Sequence, residues 1–539
     1  MHIQKSLILI FLICILSLFL RIYLLDKIPN SISADEAAFG YNAYSISKTG
    51  KDEFGHKYPL YFQSFDDYKN PLFGYLLIPF VKFFDLTDWS IRLPSVLLGV
   101  GVILIIYLLV KKLTGKNRLA LITSFFAAIS PWLIQYSRVA IDMELGLFLS
   151  LVSIWLFLKG RENKNYYLIS FLIFGLDFYA YHSSKIWILA ILPVLLLLNY
   201  RFNKYILLGI VVLALMVFPY FRLLTTGNIG LRPYAISVFS NQEELNNDAK
   251  LLLYDKEHGV GGGKVVHNRR LTVFNQAING YLHILNPELL FSQSRYNQIR
   301  LTRLFFLWQI PLILIGALNL LKHRNLSVLI FSWLLFGLIP GGMTILPVYD
   351  RRILLSSFPL LYFSAYGFYT IINYLYKNQK YLYRPLKLSL VLLITTSFYL
   401  YMHNYFIHGR NEVVYLWGNG IKDVVSFTKE EKQKFDNVIV SIKLNQPLIF
   451  FLFYEKYPPD KYLQEGGTIS GGYLDERNKF GKYKFKNITK DDLSPKNLFV
   501  WSVEEVQPCL KPIHTIKMSN GTPLAHIGIY NSDLKACQN

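Results

Sequence analysis

The chain is poor in cysteine and in acidic residues. Three cysteines among 539 residues exclude a disulfide framework. Cys14 lies within an apolar run, whereas Cys509 and Cys537 could pair if the C-terminal region lies outside the cytoplasm. Acidic residues number 35 against 56 basic ones, which gives a formal net charge of +21. This charge alone is compatible with nucleic-acid binding, so the positions of the basic residues must show whether they form a nucleic-acid site.

The motifs of soluble nucleotide and metal chemistry are also missing. The sequence contains no Walker phosphate loop, no dinucleotide-binding fingerprint, no HExxH pattern and no CxxC pattern. No spacing of His, Asp and Glu is diagnostic of a metal site. Soluble nucleotide chemistry is therefore unsupported.

Apolar residues, in contrast, are abundant and come in blocks. They make up 53% of the chain, and the mean hydropathy is +0.31. Blocks of about 20 residues have the length that crosses a bilayer as a helix. A cleaved signal peptide is a weaker interpretation of the first block, which is long and lacks an A-x-A-like site. We predict eleven spans, near residues 6–25, 91–110, 119–136, 142–158, 166–181, 184–200, 204–222, 302–321, 326–340, 353–376 and 386–406.

The short loops that alternate between these spans carry most of the local positive charge. Five of them hold fifteen basic residues and a single acid, Glu162. Positively charged loops stay in the cytoplasm, so the basic excess is a topology signal and not a nucleic-acid site. The loops 26–90 and 223–301 and the tail 407–539 then face the outside. We predict a multi-pass protein of the plasma (inner) membrane with an extracytoplasmic C-terminal domain.

Two outer regions have a pattern of their own. Asn70–Phe84 is apolar but only about 15 residues long and contains Pro79, which suits an interfacial or re-entrant helix. The tail has short β-branched runs near 438–442, 498–503 and 525–530, which predict strands of a small α/β domain. The predicted fold is a mainly α polytopic membrane protein, with a transmembrane module at 1–406 and a soluble α/β domain at 407–539.

An acidic pair, Asp35-Glu36, directly follows the first span. Carboxylates favour a helix N-terminus, so the pair could simply mark the start of an interfacial helix. Two charges beside a membrane also suggest function. Adjacent residues of a helix point about 100° apart, so we expect one of the two to face a site.

Outer-face cations are the second group of candidates. These candidates have structural alternatives: solvated charge for Lys69 beside Asp67, a helical ion pair with Asp142 for Arg138, an ordinary structural role for the lone His182, and snorkelling for the arginines at a span end. Together with the carboxylates they fit a lipid-linked phosphate substrate. The candidate cations are Lys69, Arg138, His182, Lys185, Arg351 and Arg352.

At these residues the chain resembles the GT-C membrane glycosyltransferases, in the group of protein O-mannosyltransferases and aminoarabinose transferases. The similarity covers roughly the first 220 residues well and the later spans more loosely. The matching elements are Asp35-Glu36, Ile91-Arg92-Leu93-Pro94-Ser95, Tyr136-Ser137-Arg138, and Arg351 or Arg352 before Pro359. Lys69-Asn70-Pro71 looks like the Lys-Pro segment of the aminoarabinose transferases with Asn inserted.

The resemblance implies the GT-C fold and an inverting transfer of sugar from a polyprenyl-phosphate donor to an acceptor hydroxyl on the extracytoplasmic face. Asp35 would be the general base and Glu36 a supporting neighbour. The six cations would contact the donor phosphate and headgroup, and Asp67 would be a ligand if a divalent metal is used. The expected partners are the donor lipid, an acceptor protein, lipid or glycan, and membrane lipids, without nucleic acid. A transporter or flippase of lipid-linked sugars is the main alternative, and a partner-binding scaffold is a third.

Overall fold

The helices of the N-terminal half follow the apolar blocks. The computed structural model describes residues 2–65, 67–199, 203–226, 236–292, 303–346, 349–409, 418–470 and 476–532. Its first ten helices are α1 (His2–Ile22), α2 (Ala34–Thr49), α3 (Pro71–Phe84), α4 (Asp88–Thr114), α5 (Asn117–Ala128), α6 (Pro131–Tyr136), α7 (Met143–Lys159), α8 (Asn165–Phe178), α9 (His182–Leu198) and α10 (Lys204–Thr226). Cys537 lies outside the described residues, so the possible Cys509–Cys537 pair does too.

Further helices follow α10. The predicted outer loop 223–301 contains Gln242–Glu257, Gly263–Val266, Arg269–Leu285 and Pro287–Phe291. Four apolar helices come next, Gln309–Leu320, Arg324–Gly342, Ser357–Asn378 and Lys380–His403. The tail adds Ile421–Glu431, Pro447–Glu455 and Pro459–Gln464.

Within the described part of the chain, six helical stretches are long and apolar enough to cross a membrane. They are Gln4–Ile22, Asp88–Thr114, Lys204–Thr225, Arg324–Gly342, Asp350–Asn378 and Lys380–His408. Helices also occupy the other five predicted spans, but they are shorter. The predicted span 119–136, for example, is divided into α5 and α6, because Pro131 cannot continue the hydrogen bonding of α5. The protein is thus an integral membrane protein, and the count of eleven stays a prediction.

The chain divides into two compact units. The first comprises Met1–Leu20, Leu98–Gln135 and Met143–His403, and the second comprises Arg21–Leu97, Tyr136–Asp142 and Asn404–Asn539. This division differs from the predicted modules 1–406 and 407–539. The tail shares its unit with the first loop because the two are joined by specific contacts, such as the hydrogen bond from Tyr41 Oη to the carbonyl of Tyr457 at 3.0 Å.

The first unit is helical and closely packed. Gln309–Leu320 and Ser357–Asn378 approach so closely at Gly316 that a Cβ atom there would lie 1.9 Å from the carbonyl oxygen of Phe363. Small residues allow this kind of backbone approach between membrane helices. Arg324–Gly342 packs on α9, where the rings of Trp187 and Trp333 lie 5.0 Å apart.

In the second unit, the first loop forms a helical pair and a small hairpin. Helix α3 occupies the predicted interfacial segment and begins with Pro71, a position that suits proline's fixed φ. It packs against α2. Strands β1 (Phe62–Ser64) and β2 (Asp67–Lys69) form an antiparallel hairpin directly before α3. The placement of α3 at the membrane interface stays a prediction.

The tail contributes a six-stranded mixed sheet to the same unit. Its strands are β3 (Asn437–Val440), β4 (Lys479–Phe480), β5 (Tyr483–Phe485), β6 (Asn497–Ser502), β7 (Leu510–Lys517) and β8 (Pro523–Tyr530), in the order β4-β5-β3-β6-β8-β7. β3 runs parallel to β5 and β6, and the other pairs are antiparallel. The three predicted strands correspond to β3, β6 and β8.

Candidate active site

The acidic pair lies in the first turn of α2. Ser33 is the N-cap, and its hydroxyl accepts a hydrogen bond from the backbone N–H of Glu36 at 3.3 Å. The Glu36 carboxylate in turn accepts one from the N–H of Ser33 at 2.9 Å. This reciprocal arrangement is a capping box, which fixes the start of the helix. It therefore fixes the directions in which Asp35 and Glu36 leave the backbone.

Glu36 points into the protein and is fully buried. Its Oε1 accepts hydrogen bonds from Arg92 Nε and from the backbone N–H of Ala140, both at 2.9 Å. Arg92, also fully buried, lies in the first turns of α4. Together with the N–H of Ser33, these donors supply a hydrogen bond to each of the two carboxylate oxygens. The geometry favours a bracing role for Glu36.

Arg92 ties the segment before α2 to the same centre. Its guanidinium donates to the backbone carbonyls of Leu25 at 3.0 Å, Pro29 at 2.9 Å and Ser31 at 2.6 Å. The planar fork of arginine can satisfy several acceptors at once, which a lysine cannot do. Arg92 and Glu36 thus hold residues 25–36 in one conformation and set the position of Asp35.

Asp35 points the other way. Its carboxylate is 39% exposed and lies 2.9 Å from the ammonium of Lys69, whose side chain is only 9% exposed. The ammonium lies over the ring of Phe39 at 5.2 Å and that of Phe65 at 4.7 Å. Aromatic faces attract a cation and restrict its motion. Asp35 is therefore an accessible carboxylate held by an immobilised cation at the end of β2.

Arg138 is fully buried beside the end of α1 and the residues that follow it. Its guanidinium donates to the carbonyls of Arg21 and Ile28, both at 2.8 Å, and of Leu24 at 3.2 Å. It also stacks over the ring of Phe406 at 5.1 Å. Residues 137–142 are not helical, so they lack the helical spacing on which the alternative of an ion pair with Asp142 rested. These contacts indicate that Arg138 stabilises the backbone around residues 21–28. Its predicted contact with the donor phosphate stays a prediction.

The other four candidate cations come together in the first unit. Lys185 Nζ lies 3.4 Å from His182 Nδ1 and 4.6 Å from the centre of the Tyr220 ring. Tyr181 Oη donates to the carbonyl of Arg351 at 2.9 Å, and Ser183 Oγ donates to that of Arg352 at 3.1 Å. The start of α9 is thereby joined to the segment that carries both arginines.

The metal prediction for Asp67 stays a prediction. The side chain of Asp67 lies outside what the structure describes. Within the described ranges, no group of three or more His, Cys, Asp or Glu side chains is placed to hold a metal ion.

Among the buried carboxylates of the first loop that sequence reasoning missed is Glu53. Its oxygens accept hydrogen bonds from Asn42 Nδ2 at 2.9 Å and from Thr468 Oγ1 at 3.0 Å. Burial raises the pKa of the Glu53 carboxyl to about 7. Because Asn42 and Thr468 are 11 and 415 residues away in the chain, no local pattern could have indicated this environment.

Comparison with known proteins gives a family match and a shared fold. Residues 68–221 match the family model described as dolichyl-phosphate-mannose-protein mannosyltransferase. A segment of 116 residues is 34% identical to the putative mannosyltransferase YkcB of Bacillus subtilis strain 168. That alignment covers 21% of this chain and only 16% of the relative.

The similarity in fold extends over nearly the whole chain. ArnT from Cupriavidus metallidurans in the apo state superposes with a TM-score of 0.55 at 11% identity, over 98% of each chain. The same protein bound to undecaprenyl phosphate gives a TM-score of 0.54 at 10% identity, again over 98% of each chain. The resemblance stated from the sequence is thus confirmed: residues 68–221 match a mannosyltransferase family model, and nearly the whole chain has a fold like that of ArnT.

Proposed function

We propose that this protein transfers a sugar from a polyprenyl-phosphate donor to an acceptor hydroxyl, with inversion at the anomeric carbon and with Asp35 as the general base. One observation carries the proposal. Of the two adjacent carboxylates, Asp35 is accessible and paired with Lys69 at 2.9 Å, whereas Glu36 is enclosed by Arg92 and backbone donors. A base must be reachable by the proton that it accepts, and only Asp35 meets that condition.

The reaction then has one displacement step. The acceptor oxygen attacks the anomeric carbon while Asp35 takes the hydroxyl proton. The bond between the anomeric carbon and the phosphate oxygen breaks, and its electron pair leaves with the polyprenyl phosphate. Cations that contact the phosphate stabilise the charge that develops there. His182, Lys185, Arg351 and Arg352 keep this predicted role.

Lys69 receives a different role in this proposal. In an inverting displacement the attacking and leaving oxygens lie on opposite faces of the sugar. A cation 2.9 Å from the base therefore lies on the attacking side. We assign Lys69 to holding Asp35 in its reactive orientation, and the phosphate contact predicted from the sequence becomes the alternative.

The donor lipid is inferred from the fold. The match to mannosyltransferases that use a dolichyl-phosphate sugar, and the ArnT structure with undecaprenyl phosphate, support a polyprenyl-phosphate donor. The plasma (inner) membrane and an extracytoplasmic site remain part of the proposal, and the charges of the loops support the extracytoplasmic orientation.

The test is donor cleavage by the purified full-length protein. It is incubated with a panel of polyprenyl-phosphate sugars in detergent, and release of free polyprenyl phosphate is followed by mass spectrometry. We expect cleavage of at least one donor. A protein that binds these lipids and moves them between leaflets of a vesicle, but cleaves none, would instead be the transporter of the alternative hypothesis.

A further inference from the structure

A large cavity lies at the far end of helix α9. It has a volume of about 1000 Å³, and the residues that line it all belong to the first unit. Helix α9 carries the candidate residues His182 and Lys185 in its first turn. Leu195, which lines the cavity, comes 13 residues after His182, about 20 Å farther along the helix axis. The cavity is therefore separate from the candidate site residues of this unit.

The mouth of this cavity is basic. Arg161 and Lys164 are exposed and line it, and none of the described lining residues is acidic. The neighbouring acid in the sequence, Glu162, pairs with Lys112. The Arg161 guanidinium donates to the backbone carbonyl of Leu198 at 3.2 Å, which uses one of its five donors and holds the group at the cavity wall. A mouth with two cations and no carboxylate attracts an anionic group.

The wall of the cavity changes from apolar to polar along the helices that form it. Three helices each contribute a buried apolar residue from within the helix, namely Phe157 of α7, Leu195 of α9 and Leu329 of Arg324–Gly342. Each of the same helices contributes a polar residue at or just beyond one end, namely Arg161, Asn199 and Asn325. A lipid has the same distribution, with a polar headgroup at one end of its apolar chains.

Four of the five loops that we predict to be cytoplasmic meet at this cavity. They contribute Leu113, Arg161, Asn203 and Asn325, among other lining residues. Positive charge in such loops indicates by itself only the orientation of the chain in the membrane. A shared cavity is an additional property, since basic pockets between membrane helices on the cytoplasmic side suit anionic lipid headgroups.

A smaller cavity adjoins the first and adds to its charge. It has a volume of about 440 Å³ and shares Leu113, Asn325 and Leu326 with the larger cavity. Lys116 and Arg324 also line it, and none of its described lining residues is acidic. The two cavities together therefore present four exposed Lys and Arg side chains on one side of the unit.

We propose that the larger cavity binds one anionic phospholipid of the cytoplasmic leaflet. The lipid phosphate contacts Arg161 and Lys164, and the acyl chains pack along Phe157, Leu195 and Leu329. Cavities of about 300–1,000 Å³ enclose ligands of drug size, so this one has room for a headgroup and the first part of the chains. The inference goes beyond the proposed sugar transfer and does not depend on it.

The first experiment measures lipid binding by the delipidated full-length protein in detergent, using native mass spectrometry. Phosphatidylglycerol and phosphatidylcholine with the same acyl chains are titrated, so the two ligands differ only in the headgroup. The charge variant is Arg161→Gln with Lys164→Gln. Its matched control is Arg384→Gln with Lys387→Gln, an exposed pair of the same spacing and charge at the fifth predicted cytoplasmic loop, which lines neither cavity.

We expect phosphatidylglycerol to bind more tightly than phosphatidylcholine, and the charge variant to lose at least about tenfold in affinity for it. The control should bind like the unmodified protein. Lys164→Gln alone should weaken binding in the same direction, and it remains a test if the double variant does not fold, because the contact with Leu198 belongs to Arg161. Equal binding of the two lipids, or equal binding by the charge variant and its control, would show that the inference is wrong.

A second pair of variants tests the apolar wall without changing the charge. Leu198→Trp places a larger side chain in the wall of the cavity. Leu197→Trp adds the same side chain at a neighbouring residue that is 79% exposed and does not line the cavity. We expect only Leu198→Trp to weaken the binding of phosphatidylglycerol. Equal affinities of the two tryptophan variants would contradict the placement of the lipid.

Two further ligands separate the possible sources of the phosphate. Glycerol 3-phosphate has the charge of the headgroup without acyl chains, and it should bind at least about a hundredfold more weakly than the lipid. Binding as tight as that of the lipid would make the cavity a site for soluble anions and overturn the inference. Polyprenyl phosphate is titrated in the same way, and a loss of affinity in the charge variant for this lipid instead of phosphatidylglycerol would assign the cavity to the donor and overturn it too. Donor cleavage is measured separately, so failure of the glycosyltransferase proposal would appear there and not in these titrations.

Discussion

Loss of the charge of Glu36 should mainly lower the stability of the protein, whereas loss of the charge of Asp35 should mainly lower its activity. Both oxygens of Glu36 accept hydrogen bonds, and Glu36→Gln replaces one of them by an amide nitrogen, which cannot accept. It also leaves the guanidinium of Arg92 fully buried without its counter-charge. Breaking a buried ion pair in this way costs about 3–5 kcal/mol.

Asp35→Asn should cost far less stability. The Asp35 carboxylate is 39% exposed, and exposed ion pairs contribute about 0–1 kcal/mol. The two amide substitutions, made at adjacent positions of one helix turn, should therefore differ by at least about 2 kcal/mol. They should differ in the reverse sense in activity, since Asp35 is the proposed base.

The assay is thermal unfolding of the purified full-length variants, followed by tryptophan fluorescence. Glu36→Gln should lower Tm by roughly 2 °C or more relative to Asp35→Asn. A double variant, Glu36→Gln with Arg92→Leu, should be less unstable than the sum of its single changes, because neither charge is then left alone. Equal Tm values for the two amide variants would refute the assignment of Glu36 as the structural carboxylate.

Three further outcomes follow from the same geometry. Lys69→Met should lower the transfer rate about a hundredfold by releasing Asp35, with an unchanged donor Kd in a binding assay; a raised Kd would instead indicate the phosphate contact. Because burial raises the pKa of Glu53 to about 7, above its ordinary value of 4.5, the folded protein keeps a proton that the unfolded chain loses. The free energy of unfolding should therefore fall by about 3 kcal/mol as the pH rises from about 4.5 to about 7. Between pH 5 and pH 8, the Tm of Glu53→Gln should change less than that of the unmodified protein. Arg138→Lys should cost about 2–3 kcal/mol because a lysine cannot serve three carbonyls in the same plane, whereas the exposed Arg161→Lys should leave Tm unchanged.

Local patterns predicted much of the fold. The apolar blocks correspond to helices because a continuous run of about 20 apolar residues suits a helix in lipid. The segment after Asn70 forms α3, and its start at Pro71 could be read directly from the sequence. β-branched runs in the tail became β3, β6 and β8. In each case the deciding information lies within about 20 neighbouring residues.

The site depends on contacts that no local pattern contains. Glu36 and Arg92 are 56 residues apart, and Glu53 meets Thr468 across 415 residues. One local signal was available: Ser33-Ala34-Asp35-Glu36 has the spacing of a capping box, which predicts that Glu36 turns back to the backbone. That spacing alone distinguishes the two carboxylates, because a glutamate engaged with the backbone is not free to act as a base.

The most direct test of the central claim is the single-turnover rate of Asp35→Asn with a donor that the unmodified protein cleaves. Loss of a general base should lower the rate by about 10²–10⁴. The donor Kd and the Tm should stay close to those of the unmodified protein, and of a control variant at the exposed Asp423, Asp423→Asn. A rate near that of the unmodified protein would show that Asp35 is not the base and would contradict the account.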